Sequence, residues 1–154
     1  MDINEQKDYA WKYFELHANQ RMSTFNFFIV IAALMTTALA KTFERDFQYS
    51  YVGIILGIGL SLSAYIFWKL DQRVRFLIKH AEGVLKEIEL HWLNNLGEDK
   101  FLSNLFTGED AKTSNNKKIF PLIYATLSYS NCFNIIYLLF GLFGILGFVG
   151  SMAK

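Results

Sequence analysis

The fold class is decided by Cys132–Ala153, CFNIIYLLFGLFGILGFVGSMA, a run of 22 residues without a charge. Two more uncharged blocks precede it: Phe25–Ala40, FNFFIVIAALMTTALA, with 16 residues, and Tyr51–Trp68, YVGIILGIGLSLSAYIFW, with 18. A helix rises about 1.5 Å per residue, so roughly 20 apolar residues cross the ~30 Å hydrocarbon core of a bilayer. Helices of a soluble bundle would carry a polar face, and the second and third blocks have none beyond serine, glycine and tyrosine. The sequence therefore predicts an all-α membrane protein with three transmembrane helices.

The composition excludes several other classes of protein. The 154 residues are 53% hydrophobic with a mean hydropathy of +0.21, which is not the composition of a disordered chain. One cysteine, Cys132, rules out an intramolecular disulfide framework and a four-cysteine zinc site. The net charge of +1 provides no global basic field, so we expect no double-stranded nucleic acid partner. We also expect no cofactor and no metal.

The three blocks belong to longer helices within a single membrane unit, residues 1–154. No glycine or proline interrupts residues 5–41, so the first helix is expected to extend beyond the membrane. The second helix is predicted over residues 50–96, followed by a loop region at 97–118 and a last helix at 119–153. The prediction is thus three spans with long cytoplasmic helical extensions.

The positive charges indicate an orientation in the membrane. Nine of the 15 basic residues lie between positions 69 and 131, and only two lie between 41 and 50. Because cytoplasmic loops carry the excess of lysine and arginine, we expect a cytoplasmic N-terminus and a periplasmic C-terminus in a bacterial inner membrane.

A heptad-like seam follows the second span. Its members are three and four residues apart, which predicts packing against the N-terminal extension or a neighbouring subunit: Phe67, Leu70, Val74, Leu77, Ala81, Val84 and Ile88.

Small residues recur at four-residue intervals in two of the spans. Such patterns allow the backbones of membrane helices to approach closely. With three spans in each chain, some of these faces would lack a partner within the subunit, so the pattern favours a homo-oligomer; packing inside one three-helix unit is the alternative. The candidate packing residues are Gly53, Gly57, Ser61, Gly147 and Ser151.

Polar residues mark the start and the interior of the first span. Polar groups at membrane depth are costly unless they are paired or face water. They are therefore candidates to face a pore or a protein interior, while an arginine that reaches the headgroups and an asparagine that bonds a neighbouring helix are the alternatives. The candidates are His17, Gln20, Arg21, Asn26, Thr36 and Thr37.

A cluster of basic residues directly follows the second span. Such cations attract phosphates, either of a nucleotide or oligonucleotide regulator or of lipid headgroups. The candidate contacts are Lys69, Arg73, Arg75, Lys79 and His80.

One short pattern resembles a catalytic motif. Arg75 and His80 fit the RxxxxH motif of HEPN ribonucleases, in which arginine and histidine act together on an RNA phosphodiester. The motif is short and lies on the predicted juxtamembrane helix. We therefore expect no enzymatic activity and keep a ribonuclease as an alternative.

Residues 11–31 (WKYFELHANQRMSTFNFFIVI) and 67–82 (FWKLDQRVRFLIKHAE) resemble segments of small bacterial multi-pass membrane proteins. The architecture is similar to the pore-forming SLATT effectors, which have two spans rather than three, and to the oligomeric membrane accessory protein of type VI-B CRISPR loci. The resemblance implies a role in anti-phage defence.

These observations lead to one functional hypothesis and one main alternative. The hypothesis is a homo-oligomeric channel gated from the cytoplasm by a nucleotide, an oligonucleotide or a soluble defence protein. The alternative is a noncatalytic membrane anchor for a soluble partner. In both, the expected partners are membrane lipids and other copies of the chain.

Overall fold

A computed structural model describes residues 3–44, 50–95 and 129–153, and all regular structure in these ranges is helical. Helix α1 covers Ile3–Thr42, α2 covers Ser50–Asn95 and α3 covers Tyr129–Met152. Each of the three is long and apolar enough to cross a membrane, which confirms the predicted three-span fold class. The predicted loop at 97–118 and the start of the predicted last helix, 119–128, lie outside the described residues.

Two of the helices are much longer than a membrane span. Helix α1 has 40 residues and contains neither glycine nor proline, so nothing in it interrupts the backbone hydrogen-bond ladder. Helix α2 has 46 residues and tolerates glycines at 53, 57, 59 and 83. Glycine is more frequent in membrane helices than in soluble ones. Both helices are about twice the length that a bilayer core requires.

The chain divides into two compact units. Among the described residues, 21–44, 50–73 and 129–153 form one, called here the span unit, and 3–20 and 74–95 form the other, called the extension unit. The span unit contains the uncharged part of each helix.

An aromatic and aliphatic core holds the span unit together. Phe28 of α1 and Leu60 of α2 are fully buried, and Phe133 and Tyr137 of α3 are nearly so. Phe28 lies 4.8 Å from Tyr137 and 5.3 Å from Phe67 between ring centroids, within the range of favourable aromatic pairs. Each helix therefore contributes to one continuous core.

The buried face of α2 differs in part from the predicted heptad seam. Val74 and Ala81 are buried as expected, but Leu70 and Val84 are exposed at 45% and 37%. Asp71 and Leu85, each one residue further along, are buried instead. Leu70 and Val84 therefore do not pack into the core of the subunit, and their contact with a neighbouring subunit stays a prediction. Asp71 and Val74 are three residues apart and Ala81 and Leu85 are four apart, the spacing of neighbours on one helix face.

In the extension unit, residues of α1 and α2 line one groove. Ala10 is buried, and a groove of about 660 Å³ lies between Ala10, Tyr9 and Tyr13 on one side and Ala81 and Val84 on the other. Of the two partners predicted for the seam, the N-terminal extension is therefore present within the subunit.

Candidate functional site

A buried ion pair connects the three helices of the span unit. Arg21 Nε donates to Asp71 Oδ1 over 2.6 Å, and Arg21 Nη2 donates to Asp71 Oδ2 over 3.0 Å. The same Nη2 donates to Ser130 Oγ over 3.2 Å. The side chains of Arg21 and Asp71 are 13% and 2% exposed. This two-point geometry is the strong form of an arginine–carboxylate contact, and it neutralises both charges beside the apolar core.

An aromatic ring packs against the Arg21 guanidinium. Its Cζ lies 4.9 Å from the centroid of the Phe133 ring, a cation–π distance. The Phe133 ring also stacks on the Phe25 ring, with 3.8 Å between the ring centroids and an interplanar angle of 4°. The arginine predicted at the polar start of the first span therefore faces the interior of the helix bundle.

Sequence reasoning missed Asp71 and Ser130. A signal for Asp71 was present, because Arg21 precedes the first uncharged block by four residues and Asp71 follows the second by three. Consecutive spans run in opposite directions, so the two charges reach the same membrane face. Ser130 left no such signal, since a serine near the start of a span is common.

His17 and Gln20 contact each other in the extension unit. His17 Nδ1 lies 3.1 Å from Gln20 Oε1, and the His17 ring lies 4.4 Å from Tyr13 in an edge-on arrangement. Both contacts are local, at separations of three and four residues along α1, as expected for neighbours on one helix face. Gln20 is exposed and His17 is half-buried.

An exposed stripe of small and polar residues follows α1 through the first span. Its members are spaced three and four residues apart and all are exposed in the subunit: Ser23, Asn26, Val30, Ala33, Thr37 and Ala40. Among the described residues, the Asn26 side chain has no hydrogen-bond partner. Thr37 Oγ1 donates to the Ala33 carbonyl over 2.9 Å. We call this surface the α1 stripe.

Thr36, next to the α1 stripe, points elsewhere. Its Oγ1 is buried without a hydrogen-bond partner among the described residues. The two threonines predicted together therefore lie in different surroundings, because adjacent helix positions are about 100° apart.

The small residues bring α2 and α3 into backbone contact. A Cβ on Gly57 would lie 2.6 Å from the Phe148 nitrogen and 2.7 Å from the Gly144 carbonyl oxygen. Ser61 Oγ donates to the Gly141 carbonyl over 3.0 Å. A Cβ on Gly53 would meet the Ser151 side chain, and one on Gly147 would meet Leu39 of α1. These residues therefore pack inside one subunit, which was the alternative to their use between subunits.

The cations after the second span do not form one described site. Lys69, Arg73, Lys79 and His80 are exposed and Arg75 is half-buried. Lys69 Nζ lies 4.8 Å from the Trp68 ring centroid and 5.8 Å from that of Tyr65. His80 belongs to the extension unit, where it lines the groove beside Tyr9 and Tyr13. An anionic ligand at these residues stays a prediction.

The RxxxxH pattern lies on one continuous helix. Arg75 and His80 are five residues apart on α2, so their directions differ by about 140° around the helix axis. The helix alone therefore does not aim both side chains at one phosphodiester. No group of three or more histidine, cysteine or carboxylate residues lies within metal-binding distance in the described ranges.

Comparison with known proteins connects this subunit to an assembly. A sequence model described as "Octameric membrane protein family (8xMP)" matches residues 4–153. The chain belongs to this family. It is also 34% identical over 140 residues to an Escherichia coli protein described as "CD-NTase-associated protein 19", covering 91% of this chain and 86% of the relative. No solved structure matches it significantly. Membership of the 8xMP family confirms the predicted homo-oligomer.

Proposed function

We propose that the chain forms an octameric pore in a bacterial inner membrane and acts as an effector of anti-phage defence. The octameric state is supported by the 8xMP family description, and a defence role by the relative associated with a CD-NTase. We further propose that a nucleotide, an oligonucleotide or a soluble partner protein gates the pore from the cytoplasm, and that the N-terminus lies on that side of the membrane.

The α1 stripe is the observation that carries the pore proposal. A polar side chain that faces lipid within a span is unfavourable, so such residues face a bundle interior or a water-filled cavity. Asn26 and Thr37 are not covered by α2 or α3, since both are exposed in the subunit. In a ring of subunits, an α1 stripe turned toward the central axis places them against water, together with the small Ala33 and Ala40.

The Arg21–Asp71 ion pair removes Arg21 from the charged groups that could line such a pore. Arg21 already binds Asp71 and Ser130 in the bundle interior, so it contributes no unpaired charge to a lumen. The proposed lining is therefore neutral within the span, with Asn26 and Ser23 as its most polar groups. We expect a pore that discriminates weakly between cations and anions.

Cysteine accessibility combined with ion flux tests the pore. In a Cys132→Ser background, Asn26→Cys and Thr37→Cys are introduced on the α1 stripe. Phe27→Cys and Leu34→Cys are the controls, because these large apolar residues are 62% and 67% exposed but lie off the stripe. A charged, water-soluble thiol reagent should reduce ion flux from liposomes through the first two variants only.

Two results contradict the proposal. Equal insensitivity of all four variants would show that the α1 stripe does not face water. Absence of flux in every state, with or without nucleotide and partner protein, would exclude a pore altogether.

A membrane anchor for a soluble protein is the second candidate function. The extension unit favours it, because α1 and α2 both continue beyond the spans and a groove of about 660 Å³ opens between their residues. Expression of the chain alone separates the candidates. Toxicity with loss of membrane potential supports the pore, whereas harmless expression with a co-purifying soluble protein supports the anchor.

A further inference from the structure

A long apolar cleft runs between α2 and α3 in the span unit, on a side that the α1 stripe does not reach. Its main part has a volume of about 470 Å³ and is lined by Ala64, Tyr137, Leu138 and Leu142, among others. A second part of about 340 Å³ shares Ser61, Tyr65 and Ile145 with the first and continues it toward Ile58. The two parts therefore form one groove, called here the α2–α3 cleft.

The length of the α2–α3 cleft matches one leaflet of a bilayer. Along α2 it extends from Ile58 to Trp68, a separation of ten residues along the helix and therefore about 15 Å. Half of the ~30 Å hydrocarbon core has the same thickness. A groove of this length and apolar lining accommodates the acyl chain of a lipid from that leaflet.

The end of the cleft at Trp68 is polar and positively charged. Trp68 Nε1 donates to Asn134 Oδ1 over 3.1 Å, so both side chains hold a fixed orientation. The Lys69 ammonium lies over the Trp68 and Tyr65 rings, at 4.8 and 5.8 Å from their centroids. Within the described ranges Lys69 makes no ion pair, so its ammonium is available to an anion.

We propose that the α2–α3 cleft binds an anionic phospholipid, with an acyl chain along Leu138 and Leu142 and the phosphate at Lys69. Tryptophan, tyrosine and lysine together are the side chains that occupy the boundary between hydrocarbon and headgroups. A phosphate satisfies the lysine there, and the acyl chain fills an apolar groove that would otherwise be poorly packed. This site is independent of whether the protein conducts ions.

Trp68 provides the test, since it lines the cleft. Trp11→Phe and Trp92→Phe leave it as the single tryptophan of the full-length protein. The oligomer is reconstituted in zwitterionic vesicles that contain a small fraction of brominated lipid, either phosphatidylglycerol or phosphatidylcholine, and quenching of the Trp68 fluorescence is measured. We expect about fivefold tighter apparent binding of the anionic lipid, the effect of one lysine at an anionic surface.

Substitutions at Lys69 distinguish specific binding of an anionic lipid from nonspecific contact with lipid. Lys69→Gln should remove the fivefold preference and Lys69→Arg should keep it. Lys12→Gln is the matched control, because it removes the same charge from an exposed position in the extension unit and should leave the preference unchanged.

Two outcomes overturn the proposal. If neither brominated lipid quenches Trp68, a second copy of the chain or another protein segment fills the cleft. If both lipids quench it equally, or if the preference survives Lys69→Gln, the cleft does not select an anionic headgroup through Lys69.

Discussion

At the scale of single residues, the Arg21–Asp71 ion pair, with Ser130, is a buried polar contact that joins the three helices of the span unit. An arginine beside a membrane span usually extends to the headgroups, whereas Arg21 is drawn into the bundle by a carboxylate, a serine hydroxyl and an aromatic ring. Because both side chains are almost completely buried, neither charge has water as a substitute partner. The stability of the protein is therefore expected to depend on the two charges together rather than on either charge alone.

Removal of one partner of this pair is expected to destabilise the protein severely. Arg21→Leu or Asp71→Leu alone leaves an uncompensated buried charge, a loss of about 3–5 kcal/mol in free energy of unfolding. The double variant Arg21→Leu with Asp71→Leu leaves none and should recover most of that loss. Thermal unfolding of the detergent-solubilised oligomer measures all three.

The surface pair of Lys41 and Glu44 is the control for this prediction. It also has an N–O distance of 2.6 Å, but its side chains are 67% and 60% exposed, so Glu44→Gln should leave the unfolding temperature unchanged. Equal losses in the single and double variants at Arg21 and Asp71 would show that the two charges are not coupled.

At the scale of helices, close backbone approach decides how α2 and α3 pack. Gly57 and Gly144 face each other, and the Cβ of any larger residue at either position would overlap the opposite backbone. Helices in lipid gain no hydrophobic effect from association, so this approach supplies the packing that holds them together. The contact between α2 and α3 within one subunit therefore accounts for the four-residue interval of the small residues.

Glycine-to-alanine substitutions on α2 should have opposite effects at two positions. Gly57→Ala places a methyl group 2.6 Å from the Phe148 nitrogen, where backbone rather than a movable side chain must shift. We expect a loss of stability of about 1–3 kcal/mol, typical of overpacking.

Gly83→Ala is the matched change on the same helix. Nothing lies within 4 Å of the added Cβ, so the higher helix propensity of alanine should raise stability by about 0.5–1 kcal/mol. Denaturant or thermal titration of both variants compares them directly. A destabilising effect at Gly83 equal to that at Gly57 would contradict the assignment of the contact.

At the scale of the whole molecule, topology and assembly determine what each surface meets. The 8xMP family is octameric, and the glycines first considered as an oligomer contact are consumed within the subunit. The α1 stripe and the α2–α3 cleft are two exposed surfaces of the span unit that these glycines leave uncovered. The proposals above assign water to the first and lipid to the second.

The proposed orientation can be tested with cysteines at the two ends of the described chain. In the Cys132→Ser background, Asn4→Cys should react with a membrane-impermeant maleimide only after spheroplasts are permeabilised, because the N-terminus is expected in the cytoplasm. Met152→Cys, which is 65% exposed, should react in intact spheroplasts. The reverse pattern of labelling would invert the topology.

The mass of the assembly tests the proposed subunit number. Each chain has a mass of 17.8 kDa, and native mass spectrometry of the solubilised protein should report eight copies in a complex. A predominant complex with another number of copies would contradict the proposal for this chain. Gly83→Ala should leave the count unchanged and is a suitable reference variant.

The amino-acid sequence alone determined the number of spans, their extents and the long helical extensions. These properties depend on local quantities, because the length of an uncharged run against the thickness of a bilayer decides whether a helix spans it. On this basis the sequence predicts helices over 5–41 and 50–96, and the structure places α1 at Ile3–Thr42 and α2 at Ser50–Asn95.

The tertiary structure alone decided which side chains meet. Arg21 and Asp71 are 50 residues apart in the chain, and the seam prediction passed over Asp71 because a carboxylate is costly in a buried row unless its partner is known. Likewise, the spacing of Gly53, Gly57 and Ser61 shows that a close contact exists but not with which helix, since any helix with a small face could fit. Partner choice depends on the relative rotation of three helices, and that rotation is set jointly by the ion pair, the aromatic core and the glycine contact.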